Sequence, residues 1–137
     1  MERHDWLLLL IADGLDPIRT QKGMFLFAME SGAPAAEKYA FEPYNWGPFS
    51  QPIYGDLERL QAEGLIERVS TPKASYYAYR QTAKGQAEAA RLRTATNVSL
   101  IGAVERARAE VSGIGFRELL RRIYDRYPKY ATKSLFR

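Results

Sequence analysis

The sequence predicts an α+β fold in which a β-hairpin lies between helices. Apolar residues recur at helical spacing in several segments, and two short strand-like runs flank a polar loop. The chain has 137 residues, 46% of them hydrophobic, which is enough for one core. Because it has no cysteine, a disulfide framework, a thiolate zinc site and a cysteine nucleophile are excluded. We therefore expect a protein of the reducing cytoplasm.

Two helices are predicted at the start of the chain. The first covers about residues 5 to 14, where leucines recur at helical spacing before a glycine. The second should run from about residue 18 to residue 30, because Asp16 can cap free amides and Pro17 fits a first helical turn. The apolar run at residues 6 to 12 is too short for a membrane span and lacks a signal-peptide cleavage site, so no membrane contact is expected.

A short strand and a third helix are expected next. Residues 39 to 44 alternate like an edge strand, and residues 45 to 48 should form a turn. Ser50 is then a plausible cap for a helix that ends near Glu63. The buried face of this helix would consist of Ile53, Leu57 and Leu60.

A β-hairpin should follow the third helix. Residues 65 to 69 and 76 to 80 have strand composition, and the loop at 70 to 75 has turn composition with a basic tip. We expect these strands to pair in antiparallel fashion. The short strand at 39 to 44 could add a third strand at their edge.

Three helices are predicted after the hairpin, at about residues 83 to 93, 98 to 111 and 116 to 127. The complete order is that of a winged helix-turn-helix domain, which we place at residues 1 to 93. Residues 94 to 137 would form a helical C-terminal extension that packs on this domain or mediates dimerisation. The last helix has an apolar stripe that must be covered: Phe116, Leu119, Leu120 and Ile123.

Several motifs resemble those of known winged-helix proteins. Residues 64 to 67, followed by residues 79 to 85, are similar to the regulators in which G-L-I ends the recognition helix and T-x-x-G starts the helix after the wing. The stretch from residue 39 to residue 66, with the letters YNWGPFS, resembles the phage-associated and Panacea (antitoxin-like) winged-helix proteins. The letters QKGMFLF at 21 to 27 and YDRYPKYA at 124 to 131 are similar to a helix and the C-terminal tail of that group.

This resemblance implies a winged-helix fold, with binding to DNA or, in antitoxin-like members, to protein as the function. Gly23 stands where the group has an apolar residue.

The distribution of charge is compatible with binding to nucleic acid or with association of two copies. Residues 1 to 70 have six basic and eleven acidic side chains, a net charge of −5, whereas residues 71 to 137 have fourteen and five, a net charge of +9. The total is +4. A basic face can bind nucleic acid, and opposite charges on two halves can also pair two copies head to tail.

Six residues are candidates for contacts with double-stranded DNA. They are Ser50, Gln51, Tyr54, Arg59, Lys73 and Arg121. The first four lie in or beside the third helix, the fifth at the tip of the wing and the sixth in the last helix, opposite its apolar stripe. Three acidic residues of the third helix, Asp56, Glu58 and Glu63, would repel phosphates, so only its first turn could enter a groove.

The segment from residue 47 to residue 50 has two interpretations. Its amides could bind a phosphate at the start of the third helix, or it could be a turn followed by an ordinary cap, which we favour.

Catalysis is the weakest hypothesis for this chain. His4 is the sole histidine, and no nucleophile elbow, phosphate-binding loop or acidic cluster with metal-ligand spacing is present in the sequence. We expect no enzyme activity and no cofactor. The sequence predicts a DNA-binding transcriptional regulator that forms a homodimer through its C-terminal helices. The alternative is a protein-interaction module, antitoxin-like or an adaptor, of a phage or mobile-element system, for which the acidic third helix is the main evidence.

Overall fold

Helices and two small β-hairpins make up the structure, a computed structural model that describes residues 1–70 and 77–135. Within these residues the α-helices are α1 (Arg3–Ile11), α2 (Pro17–Glu30), α3 (Pro52–Ala62), α4 (Ala83–Ala95), α5 (Val98–Ser112) and α6 (Phe116–Arg126). The strands are β1 (Glu42–Tyr44), β2 (Gly47–Phe49), β3 (Ile66–Ser70) and β4 (Tyr77–Gln81). Short 3-10 helices cover Ala35–Glu37 and Pro128–Ala131. The α+β class that the sequence predicts is confirmed.

Helix α1 is the centre of the core. Its residues from Trp6 to Ile11 are all buried, so it is covered on every side and not on one stripe. It packs against α2, α3, α4 and α5. On α2, Gly23 lies directly against Leu10, and a Cβ atom at this position would be 2.8 Å from a leucine methyl group. The glycine therefore lets α1 and α2 approach more closely than an apolar side chain would.

Helix α2 begins where the sequence predicts. The Asp16 carboxylate accepts a hydrogen bond of 2.8 Å from the amide of Arg19, and Pro17 occupies the first turn. Helix α1 begins two residues earlier than expected, because Glu2 and Asp5 form a reciprocal capping box.

The hairpin of β3 and β4 is antiparallel, as predicted, with Ile66 opposite Gln81 and Ser70 opposite Tyr77. The segment 39–44 does not pair with this hairpin, so the prediction that it adds a third strand at the hairpin's edge is wrong. Instead Leu15, between α1 and α2, forms an antiparallel bridge with Tyr79 on β4. Of the predicted loop at 70 to 75, Ser70 is the last residue of β3, and the rest, with the predicted wing tip at Lys73, lies outside the described residues.

The segment before α3 differs from the prediction. Strand β1 pairs with β2 in a hairpin of its own, and the turn consists of Asn45 and Trp46. The predicted turn at 45–48 is therefore half strand. The N-cap of α3 is Gln51 and not Ser50. The backbone amide and carbonyl of Ser50 are hydrogen-bonded to the side chain of Gln21 on α2.

The C-terminal helices pack on the rest of the chain. Helix α5 lies against α2 and α1, and Leu119, Leu120 and Ile123 of α6 are completely buried within the single chain. These three residues of the α6 stripe are thus covered by their own chain, whereas Phe116 is only half-buried. None of the helices in the described part of the chain combines the length and apolar character that crossing a membrane requires.

Some of the charges in the two halves of the sequence are paired with each other within the fold. Arg126 pairs with Glu30 at 2.9 Å, and Arg108 pairs with Asp13. The Arg19 guanidinium donates hydrogen bonds of 3.0 and 3.1 Å to two carbonyl oxygens at the end of α5 and just beyond it. These contacts hold the oppositely charged halves together, so the sequence asymmetry overstates the charge left for partners.

Candidate interaction surface

Aromatic side chains are exposed on neighbouring elements at the start of α3. Tyr44 at the end of β1, Trp46 in the following turn and Tyr54 on α3 are 48%, 44% and 39% exposed. Phe49, at the end of β2, lies among them. We call these four residues the aromatic surface. Exposed rings in a contiguous group are uncommon in a protein that needs no partner.

Three of the four rings contact one another in the order Tyr44, Phe49, Tyr54. The Tyr44 ring stacks on Phe49 with centroids 4.8 Å apart and an interplanar angle of 26°, and Phe49 is 5.6 Å from the Tyr54 ring. Partial burial raises the pKa of Tyr54, helped by the nearby hydroxyls of Tyr77 and Tyr44. Phe49 therefore joins the β1–β2 hairpin to α3, and Tyr54 lies near Tyr77 at the start of β4.

Trp46 extends the surface in the other direction. Its ring lies 6.1 Å from that of Phe116, at the start of α6. Beyond Phe116 an apolar groove continues past Ile18, which is 43% exposed.

Two polar residues of α2 hold the connection from β2 to α3, which lies next to these rings in the chain. The Gln21 side chain accepts from the Ser50 amide at 2.9 Å and donates to the Ser50 carbonyl at 3.0 Å. Next to it, the Lys22 ammonium donates to the Pro48 carbonyl at 3.2 Å. Lys22 is buried, and this desolvation lowers its pKa to about 8. The connection from β2 to α3 is thus held by side chains and not only by its own backbone.

Sequence reasoning missed most of this surface. Tyr54 was a candidate, but as a DNA contact, and the other three rings were assigned only to a strand and a turn. Aromatic residues are usually buried, so their exposure has no signature in the sequence. Nor does the sequence distinguish Gln21 and Lys22, which are buried, from polar residues on a solvated helix face.

The acidic residues of α3 fall into two groups. Asp56 accepts a 2.7 Å hydrogen bond from the Tyr39 hydroxyl and lies 3.5 Å from the Arg3 guanidinium, and Glu63 pairs with Arg59 at 3.3 Å. Glu58 is exposed, and its side chain has no hydrogen bond or ion pair within residues 1–70 and 77–135.

The structure disperses the candidate DNA contacts. Gln51 and Tyr54 are exposed side by side at the start of α3, but Ser50 is only 2% exposed and its hydroxyl has no partner in the described part of the chain. Arg121 lies on α6, where it pairs with Glu118 at 3.1 Å. Arg59 is also paired, as described above. Lys73 lies outside the described residues.

The amides that could have bound a phosphate are occupied. The Ser50 amide donates to Gln21, and those of Ile53 and Tyr54 donate to carbonyl oxygens of the preceding turn at 3.3 and 3.1 Å. Residues 47–49 form a strand and not a helix start. The phosphate interpretation of this segment therefore loses its donors.

Two further basic residues, on β3 and β4, are engaged as well. The Arg68 guanidinium lies over the Tyr77 ring, 4.3 Å from its centroid, and Arg80 pairs with Glu67 at 2.7 Å. Of the described residues, no three His, Asp or Glu side chains are grouped so that they could hold a metal ion.

In comparisons with known proteins, no family model matches the chain and no curated protein matches it at a significant level. The functional hypothesis therefore depends on the arrangement of its side chains.

Proposed function

We propose that this chain is a non-catalytic winged-helix protein whose aromatic surface binds another protein. The observation that carries the proposal is the series of ring contacts from the exposed Tyr44 through the half-buried Phe49 to the exposed Tyr54. The connection from β2 to α3 beside these rings is held by buried side chains. Tyrosine, tryptophan and phenylalanine are enriched in protein interfaces, where they supply most of the binding energy.

The winged-helix assignment is supported by the bridge between Leu15 and Tyr79. It puts a one-residue strand between the first two helices and pairs it with the second strand of the later hairpin. Apart from the β1–β2 hairpin between α2 and α3, the order then runs helix, strand, helix, helix, strand, strand, as in winged helices.

Binding to protein is favoured over DNA by the charges around α3. Its exposed face has an unpaired carboxylate, Glu58, within the described residues, while Arg59 and Arg121 each have a carboxylate partner. Glu58 would repel a phosphate backbone. To bind Arg59 or Arg121, the phosphates would have to displace the carboxylate that already pairs with each arginine. The resemblance to antitoxin-like proteins supports the same choice.

Site-specific photo-crosslinking in the native cells tests the proposal. A photoreactive phenylalanine analogue replaces Tyr54 in one version of the chain and Ala87, exposed on α4, in the control version. We expect one dominant protein adduct from position 54, absent from position 87 and lost when Trp46→Ala is added. Adducts of equal pattern at both positions would contradict a specific surface.

DNA binding as a homodimeric regulator is the second candidate. It is favoured by the winged-helix order and by the exposure of Gln51 and Tyr54 at the first turn of α3. Genuine binding through five or six cations would fall with salt at a log-log slope of about −5. Lys73→Glu and Arg121→Glu would each flatten that slope, whereas Gln51→Ala would weaken preference among sequences. Binding to random duplex no tighter than roughly millimolar at low salt would end this candidate.

A further inference from the structure

We infer that the partner presents arginine or lysine side chains to the aromatic surface. The inference rests on the protein-binding function proposed above and specifies the chemistry of what is bound. Its basis is the position of two exposed carboxylates beside exposed rings.

The first carboxylate lies on β1. Glu42 and Tyr44 are two residues apart on one strand and both are exposed, so they share the solvent face of the hairpin. Glu42 is also directly opposite Phe49 in the strand register. The stacked pair of rings thus has an acidic group at its edge.

The second carboxylate lies on α3. Glu58 follows Tyr54 by four residues, which places it one helical turn away on the same face. Within the described ranges, neither Glu42 nor Glu58 forms a hydrogen bond or an ion pair through its side chain. No cation of the described residues is thus paired with either carboxylate, whereas Asp56 and Glu63 are already opposite arginines.

Rings elsewhere in this protein already have cations over them. Arg3 lies 4.8 Å from the centroid of Tyr39, and Arg68 lies 4.3 Å from that of Tyr77. No such contact is found for Tyr44 or Tyr54 among the described residues. A cation that stacks on a ring and pairs with a neighbouring carboxylate gains from both contacts, and guanidinium groups do this better than ammonium groups.

The net charge of the whole chain separates local recognition of a basic partner from general electrostatic attraction. At +4 the protein as a whole attracts acidic peptides and repels basic ones. A preference for a basic peptide would therefore have to come from the local arrangement and not from general electrostatic attraction.

The test uses the fluorescence of Trp46, since the other tryptophan, Trp6, is fully buried. The full chain is titrated with peptides of alternating glycine and arginine, glycine and lysine, or glycine and glutamate. We expect saturable binding in the order arginine, lysine, glutamate. Glu58→Gln and Tyr54→Ala should each weaken the arginine peptide by at least about fivefold. Glu105→Gln, the same charge change at an exposed site on α5, should leave its affinity unchanged.

Two results would overturn the inference: glutamate peptides that bind as well as arginine peptides, or equal effects of Glu58→Gln and Glu105→Gln. Either result, together with a specific adduct at position 54, would leave the protein-binding function standing and remove only the partner chemistry. Loss of the adduct as well would remove both.

Discussion

Leu15 and Tyr79 exchange two backbone hydrogen bonds, each 2.8 Å long, although they are 64 positions apart in the chain, at 15 and 79. This bridge ties the junction of α1 and α2 to the second strand of the later hairpin. We expect both amide protons to exchange with solvent as slowly as those in the middle of the β3–β4 ladder. Hydrogen exchange followed by NMR measures this directly, and fast exchange at both amides would contradict the bridge between Leu15 and Tyr79.

Two glycines in helices should respond in opposite directions to alanine. A Cβ at Gly85 would lie 1.9 Å from the Leu65 carbonyl oxygen, a backbone atom, whereas a Cβ at Gly55 would meet nothing within 4 Å. Gly85→Ala should therefore cost about 1–3 kcal/mol of unfolding free energy. Gly55→Ala should raise it by about 0.5–1 kcal/mol. Urea unfolding measures both, and a Gly85→Ala protein that is as stable as the wild type or more stable would show that the contact of α4 with residue 65 is wrongly placed.

Buried Lys22 should make stability depend on pH in the mildly alkaline range. Its ordinary pKa is 10.5, but desolvation lowers the pKa in the folded protein to about 8. Between these values the unfolded chain binds a proton that the folded protein does not, so stability rises as the pH is raised through this window. Below about pH 8 the cost of the buried charge is complete, on the order of 3 kcal/mol.

Unfolding free energies measured from about pH 7.5 to pH 9.5 check this, because tyrosines titrate above that range. Lys22→Met should flatten the rise. Lys133→Met, at an exposed position, should leave it intact. A wild-type profile that is flat, or that falls with pH, would contradict the burial of this ammonium group.

The α6 stripe should matter for stability and not for assembly. Leu119 is fully buried within one chain, so Leu119→Ala should cost about 2–5 kcal/mol. The sedimentation coefficient of the protein that remains folded should not change. If the variant instead kept its stability and halved the sedimenting mass, the stripe would be a dimer contact after all.

Local signals explain what the sequence predicts well. The cap at Asp16, the apolar period of α3 and the composition of β3 and β4 each lie within a few residues, and each places its element correctly. The bridge at Leu15 involves a single residue that pairs with a distant one, Tyr79, so no local pattern in the sequence indicates it.

The β1–β2 hairpin was missed for a different reason. Pro43 and Pro48 lie opposite each other within it, and proline is usually evidence against a strand. Ser50 was misjudged because its burial depends on Gln21, 29 residues earlier. These two errors explain why the aromatic surface was not predicted, since its rings lie on that hairpin and just after it.

The most direct test of the central claim is sedimentation of the labelled protein in an extract of its native cells. The chain has no cysteine, so Ala87→Cys on α4 gives one site for a fluorescent label. We expect the labelled protein to sediment faster in extract than in buffer, with or without nuclease, and the added pair Trp46→Ala and Tyr54→Ala to restore the rate seen in buffer. A labelled protein that returns to that rate after nuclease treatment, or that sediments alike with and without the two rings, would contradict a protein-binding aromatic surface.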